Sequence, residues 1–273
     1  RTPFARARLR YHRFRYVDRW TELNVASQRT GRGEAVPHSP QDSRLLEGFY
    51  DASVLYADEA LGPLFARLGG SSNTLLIVTA DHGEQFFEHG KIGHAPFALY
   101  EEVSRVPLIL AGPGIEPGEE RSWVSHSSIA PTIAEVAGLS SAFGPAPSLL
   151  SDVEPGGPVF TECLLGVHRP FPSRRFPDEP LLVACRRETH KYIWCEADGG
   201  EELYDLAADP EESTDLVGEP DVAEVTEELR RAVLTRAREA SVAEARADLA
   251  LRAGAVGRGL GARSRAATAG GGS

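Results

Sequence analysis

The 273-residue chain has no methionine and only three cysteines. With no methionine and a start at Arg1-Thr2-Pro3, there is no visible initiator, so the beginning of the gene product and any targeting segment are expected to lie elsewhere. No compartment follows from such a chain. There is no run of roughly 18 apolar residues, so no membrane-spanning helix is expected. Cys163, Cys185 and Cys195 are odd in number and lack C-x-x-C spacing, which excludes a zinc ribbon and a paired disulfide framework. Cys185 and Cys195 have the spacing to face each other across a hairpin, but two small buried residues is the preferred reading. Positive charge is in short supply: 29 Lys and Arg against 40 Asp and Glu leave a net charge of −11. Nine of the arginines crowd into residues 1–33, against only Asp18 and Glu22, with no recognised nucleic-acid motif among them. No nucleic-acid partner is therefore expected.

Hydrophobic residues make up 41% of the chain and charged residues 25%, enough for a folded core. Residues 1–41 show no periodicity and are expected to be an irregular, Arg-rich segment. From residue 42, Leu45, Phe49, Ala52, Tyr56, Leu64 and Leu68 recur at helical spacing, with Ser39 or Asp42 as the cap. Gly62-Pro63 should break or kink this helix. Two short apolar runs, residues 74–79 and 106–110, read as strands buried on both faces, as in a parallel sheet covered by helices. Ile129 to Leu139 predicts a short helix ending at Gly138. The fold class expected is α/β, with a mostly parallel sheet flanked by helices over residues 42–142. Over 143–252 a small antiparallel α+β subdomain is expected, built on a hairpin turning at Glu188-Thr189-His190. It includes a long helix over 220–252 with Val225, Leu229, Val233 and Ala237 on one face. Residues 253–273, rich in Gly, Ala, Arg and Ser, read as a disordered tail.

Chemistry concentrates in residues 78–94. Asp81-His82 directly follows a predicted buried strand, and in open α/β sheets ligands bind at the C-terminal ends of strands. The pair offers a hard oxygen and a borderline nitrogen to a divalent cation, and Gly83 permits a sharp turn. His89, Lys91 and His94 follow within the same glycine-flanked stretch, where Lys91 and His94 are suited to presenting donors to an oxyanion. Asp-His-Gly alone is equally a turn with a helix-capping Asp.

The wider order of residues is more specific. Thr79-Ala80-Asp81-His82-Gly83-Glu84, Glu88-His89-Gly90, Gly93-His94, Leu99-Tyr100-Glu101-Glu102, Arg105-Val106-Pro107-Leu108-Ile109 and Gly112-Pro113-Gly114 resemble the second conserved block of sulfatases, in the alkaline phosphatase superfamily. Tyr50-Asp51-Ala52-Ser53-Val54 resembles the helix before that block, and Pro131-Thr132 with Gly138-Leu139 resembles the helix after it. His190-Lys191-Tyr192-Ile193 and Glu202-Leu203-Tyr204-Asp205-Leu206 are similar to the family's C-terminal subdomain.

This resemblance implies a truncated alkaline-phosphatase-like core with a divalent metal held by Asp81 and His82. Calcium is the usual family metal, and a histidine at the second position also suits manganese or zinc. His94 would contact the transferred sulfate or help protonate the leaving group, and Lys91 is a further substrate-binding candidate, at a position that more often faces solvent. His89 would assist catalysis or else serve as a hydrogen-bonded structural residue. The implied nucleophile is a formylglycine made from Cys or Ser in a Cys/Ser-x-Pro-x-Arg motif, and that motif does not occur here. Also missing are the N-terminal Asp pair of the metal site and the family's His after Asp-Pro; His12 and His38 sit in unmatched surroundings. Ser127-Ser128 stands where the family usually has Asp, which puts the local helix cap in question. The expected activity is hydrolysis of a small-molecule or saccharide sulfate ester, incomplete in this chain. Phosphate or phosphonate ester hydrolysis, or a non-catalytic remnant, are the alternatives.

Overall fold

A computed structural model describes residues 19–27, 35–68, 71, 73–94, 98–139, 146–151, 157–163, 182–196 and 198–239. The tail expected at 253–273, the end of the helix expected at 220–252, and His12 lie outside the described residues. The chain forms two compact units: residues 1–159 with 209–213, and residues 160–208 with 214–273.

In the first unit, residues 19–27 form helix α1, within the segment expected to be irregular. Its signal was hidden because a nine-residue helix with one buried leucine shows little periodicity. Leu23 of α1 packs with Val36, Leu46 and Ile92, flanked by Trp20, Phe86 and Phe87. Helix α2 (Pro40–Leu68) begins with proline at its first position and a reciprocal cap. The Ser39 amide donates to the Asp42 carboxylate at 2.9 Å, and the Asp42 amide donates to the Ser39 hydroxyl at 3.3 Å. Asp42 also takes a two-pronged hydrogen bond from Arg19 at 2.8 and 2.9 Å, which ties α1 to the start of α2. That guanidinium holds the Asp42 carboxyl well below the usual carboxylate range.

The break expected at Gly62-Pro63 does not occur, and Pro63 sits inside a continuous helix. The ring removes one rung, but this stretch is exposed, where water can serve the backbone. The apolar stripe read from the sequence is only half used. Leu45, Phe49, Ala52 and Leu68 are half-buried and Tyr56 and Leu64 exposed; outside that stripe Leu46 is buried, and Val54 and Leu55 are exposed.

The two apolar runs form β1 (Leu76–Thr79) and, further on, β4 (Leu108–Ala111). They pair antiparallel with each other, Leu76 opposite Ala111 and Thr79 opposite Leu108. For these two strands the parallel pairing expected is corrected: among the described residues β1 and β4 form a two-stranded antiparallel sheet. Neither strand is fully buried, and Ile109 is exposed. A continuous apolar run marks a strand but fixes neither the direction of its neighbour nor how far each face is covered. Between them, β2 (Gln85–Phe86) and β3 (Ile92–Gly93) make a short antiparallel hairpin, followed by the one-turn helix α3 (Glu101–Ser104). Helix α4 (Ile129–Val136) ends as expected: Gly138 is left-handed (φ 67°), its amide donates to Glu135, and the Leu139 amide donates to Ala134. At its start, the Ser125 hydroxyl accepts from the Ser127 amide, so the lead-in turn is capped without an aspartate.

In the second unit β5 (Val159–Cys163), β6 (Leu182–Arg187), β7 (His190–Cys195) and β8 (Glu201–Asp205) form one sheet in that order. The hairpin turns at Glu188-Thr189, with Arg187 opposite His190 and Glu188 left-handed (φ 52°). Cys185 faces Tyr192 and Cys195 faces Leu182, so the register separates the two cysteines; both are buried. Helix α5 (residues 223–239) lays Leu229, Val233 and Ala237 on Val183, Cys185, Tyr192 and Leu203. Each fully buried aliphatic side chain contributes about 2 kcal/mol. Arg230 fixes the helix further by donating to both oxygens of Glu201 at 2.9 and 2.5 Å.

Candidate functional site

Residues 81–94 leave the end of β1, turn at Gly83, and run out and back through the β2–β3 hairpin. Gly83 is required here by close approach. A Cβ at that position would lie 2.0 Å from the Glu102 carbonyl oxygen, and the Gly83 amide donates to the Val103 carbonyl at 2.8 Å. The hairpin register, Gln85 opposite Gly93 and Phe86 opposite Ile92, sets Glu84 opposite His94 one step further on. At the tip, Gly90 is left-handed (φ 71°), and a Cβ there would strike Ala35 at 2.7 Å.

Register and turn together bring His82, Glu84 and His94 into one group, with one ligand atom of each within 4.8 Å of the others. His94 Nδ1 lies 3.0 Å from Glu84 Oε1. The imidazoles of His82 and His94 lie 4.1 Å apart, tilted by 35°. His82 Nδ1 sits 2.9 Å from the Gly83 carbonyl oxygen; that acceptor makes Nδ1 the donor and leaves Nε2 as the basic nitrogen. Asp81 stands at the rim, with its side chain 89% exposed. One of its oxygens accepts from the His82 amide at 3.1 Å, the other is 3.6 Å from His82 Nε2. That amide first, then electrostatic attraction toward the His82 ring, draws the Asp81 carboxyl below its ordinary range.

The structure thus brings His82 and His94 together and sets Asp81 beside them. Glu84 was missed from sequence, although its place two residues after His82 was legible; its meeting with His94 depends on the hairpin register. His126 was missed as well: its Nε2 lies 3.0 Å from the hydroxyl of Thr79, at the end of β1.

His89 is engaged elsewhere. Its Nδ1 lies 2.8 Å from Glu102 Oε1, its Nε2 lies 3.0 Å from the Glu212 carbonyl oxygen, and its ring stacks on Tyr100 at 3.5 Å. Both nitrogens face acceptors, so both donate and the ring is held as imidazolium. Burial opposes that charge, but the hydrogen bonds to Glu102 and Glu212 outweigh it and raise the pKa above its ordinary value. With no nitrogen left for substrate, the geometry favours the structural alternative over a catalytic one. Lys91 is buried rather than solvent-facing, and its backbone closes the hairpin, with the Phe87 amide donating to the Lys91 carbonyl at 2.7 Å. His38 stacks on Phe87 at 3.7 Å and makes a hydrogen-bond contact with the Val36 carbonyl, a packing role.

The donor set fits a borderline cation better than calcium. Two imidazoles and one carboxylate fall short of the roughly six to eight oxygens that calcium takes.

Comparisons with known proteins bear on the family and the fold. A family model described as Sulfatase matches residues 12–139. Over 180 residues the chain is 35% identical to choline-sulfatase of Rhizobium meliloti (strain 1021), covering 63% of this chain and 33% of that protein. It is 29% identical over 218 residues to arylsulfatase K of Xenopus laevis, covering 72% and 39%. The chain therefore spans between a third and two fifths of the length of these relatives. Among solved structures it is similar to a protein in complex with its substrate D-glucosamine-2-N,6-O-disulfate (TM-score 0.56, 26% identity, 68% of this chain and 39% of that one). It is also similar to a phosphonate monoester hydrolase from Silicibacter pomeroyi (TM-score 0.60, 22% identity, 81% and 48%), a likeness of fold alone. These neighbours share an α/β fold.

Proposed function

Because the chain belongs to the sulfatase family, we propose that it supplies the metal-binding and substrate-binding loop of a sulfate-ester hydrolase. The observation that carries this reading is the juxtaposition of Asp81-His82, at the end of β1, with His94, returned beside them by the β2–β3 hairpin. Asp81 and His82 would hold a divalent cation, which when bound supplies charge to a sulfate oxygen. Calcium is the ion the resemblance implies, and these two donors alone do not close its shell. Other ligands, and a formylglycine nucleophile, would come from parts of a longer protein, consistent with the third of choline-sulfatase's length that this chain covers. The exposed apolar residues Val54, Leu55, Tyr56 and Leu64 on α2 offer a surface for more chain to pack on.

His94 would face the sulfate or the leaving oxygen. Glu84 accepts from Nδ1, which orients the ring and reserves Nε2 for the substrate. Its burial gives no support to Lys91 as a direct substrate contact, and the reading does not depend on it. A small-molecule or saccharide sulfate ester is the substrate class, in line with the choline-sulfatase name and the glucosamine disulfate bound by a structural relative. Phosphate or phosphonate ester hydrolysis is the second reading, favoured by the imidazole donor of His82, which suits manganese or zinc.

The test uses a full-length protein that carries this segment and its nucleophile. Asp81→Ala should cut turnover of an aryl sulfate by roughly 10²–10³-fold or more. Undiminished turnover would remove Asp81 from the site, and a preference for an aryl phosphonate over the sulfate would favour the second reading.

A further inference from the structure

We propose that His82, Glu84 and His94 form a binding site for a borderline transition-metal dication such as zinc or cobalt, a donor set that shares His82 with the hard-cation position but does not include Asp81. The inference stands apart from the hydrolase reading, since it needs only these three side chains and the hairpin that positions them.

The donor atoms lie within 4.8 Å of one another. A tetrahedral zinc with metal–ligand distances of 2.0–2.2 Å needs donors about 3.4 Å apart. His94 Nδ1 and Glu84 Oε1 lie 3.0 Å apart as a hydrogen-bonded pair, so coordination through Nδ1 releases its proton and replaces that bond. Closing the remaining gaps takes side-chain shifts on the order of 1 Å, within reach of rotamer adjustment at half-exposed positions. The backbone does not have to move. Glu84 and His94 are cross-strand neighbours fixed by the Gln85–Gly93 pairing, and Gly83 is pinned against residues 102 and 103.

The donor chemistry points to the same class of ion. Two imidazoles with one carboxylate are a zinc-type set that leaves one coordination position open. The Gly83 carbonyl takes the Nδ1 proton of His82 and so presents Nε2 as a ready ligand, the outer contact that metal-bound histidines characteristically make. Calcium has no preference for nitrogen and finds a single carboxylate in this group. A transition metal held here occupies both His82 and His94, the two side chains that the hydrolase reading assigns to ion and substrate. Zinc is accordingly expected to inhibit sulfate-ester turnover.

The experiment titrates the metal-stripped 273-residue chain with cobalt(II) and follows its visible ligand-field absorption. The expected result is an intense tetrahedral-type spectrum that zinc abolishes by displacement. His94→Ala and Glu84→Gln should each weaken cobalt binding about tenfold or more, with unchanged far-UV circular dichroism, whereas Asp81→Ala should change it by less than about threefold. Absence of cobalt absorption in the parent chain overturns the proposal. So does binding that survives both His94→Ala and Glu84→Gln but is lost in Asp81→Ala; that result assigns the ion to the Asp81 position and leaves the hydrolase reading intact. Failure of the hydrolase reading shows separately, as undiminished turnover of full-length Asp81→Ala.

Discussion

Replacing His89 with alanine removes the group that ties the hairpin tip to α3 and to residue 212. Two hydrogen bonds are lost, one to the Glu102 carboxylate at 2.8 Å and one to the Glu212 carbonyl at 3.0 Å, together with the stack on Tyr100. Both charged partners are mostly buried, with side chains 15% and 17% exposed, so solvent screening is limited. A charge-assisted hydrogen bond contributes about 1.5–3 kcal/mol and an aromatic stack about 1, which sets the loss at roughly 3 kcal/mol. For a chain of this size that is about 6–12 °C in Tm. The effect must also depend on pH. The pKa of His89 is raised above its ordinary 6.5, so its contribution is complete below that pH and is lost as pH rises through the elevated folded value. Burial would raise the pKa of Glu102, but the His89 and Gln85 hydrogen bonds bring it below its ordinary 4.5, so its contribution holds above that pH and is lost as pH falls through the depressed folded value. The pair therefore stabilises most between about 4.5 and 6.5. The other groups facing the ring are the Glu212 carboxylate, which accepts from the Glu101 amide at 2.5 Å, and the Tyr100 ring. Thermal unfolding of the parent, His89→Ala, Glu102→Gln and the double variant at pH 6 and pH 9 gives both the loss and the coupling energy. A His89→Ala loss under about 0.5 kcal/mol at pH 6, or one that is equal at both pH values, refutes the imidazolium clamp.

Two other outcomes follow from packing. Gly83→Ala should cost about 3 kcal/mol or more, because a Cβ 2.0 Å from the Glu102 carbonyl forces the backbone apart; urea unfolding within 1 kcal/mol of the parent would show that the turn yields cheaply. Cys185 should resist iodoacetamide in the folded chain, since burial pushes its thiol up to about 12, and react after unfolding; peptide mass spectrometry reads the difference.

The sequence by itself determined the elements with strong local signals and the chemistry of one loop. The cap of Ser39 and Asp42, the Gly138 stop, the hairpin turning at Glu188-Thr189 and the apolar face of α5 were all legible, because each depends on neighbours in the chain. Asp81, His82 and His94 were legible as candidates because few residue types can serve a cation or an oxyanion. The tertiary structure decided what depends on distant partners. It paired β1 with β4 antiparallel, carried α2 through Pro63 and made a helix of residues 19–27. It also sorted three similar histidines by their surroundings. Register set His94 against Glu84 and His82, whereas acceptors supplied from residues 102 and 212 turned His89 into a structural cation. The physical reason is that a residue's type fixes which bonds it can make, and only the fold fixes which partners come within about 3 Å.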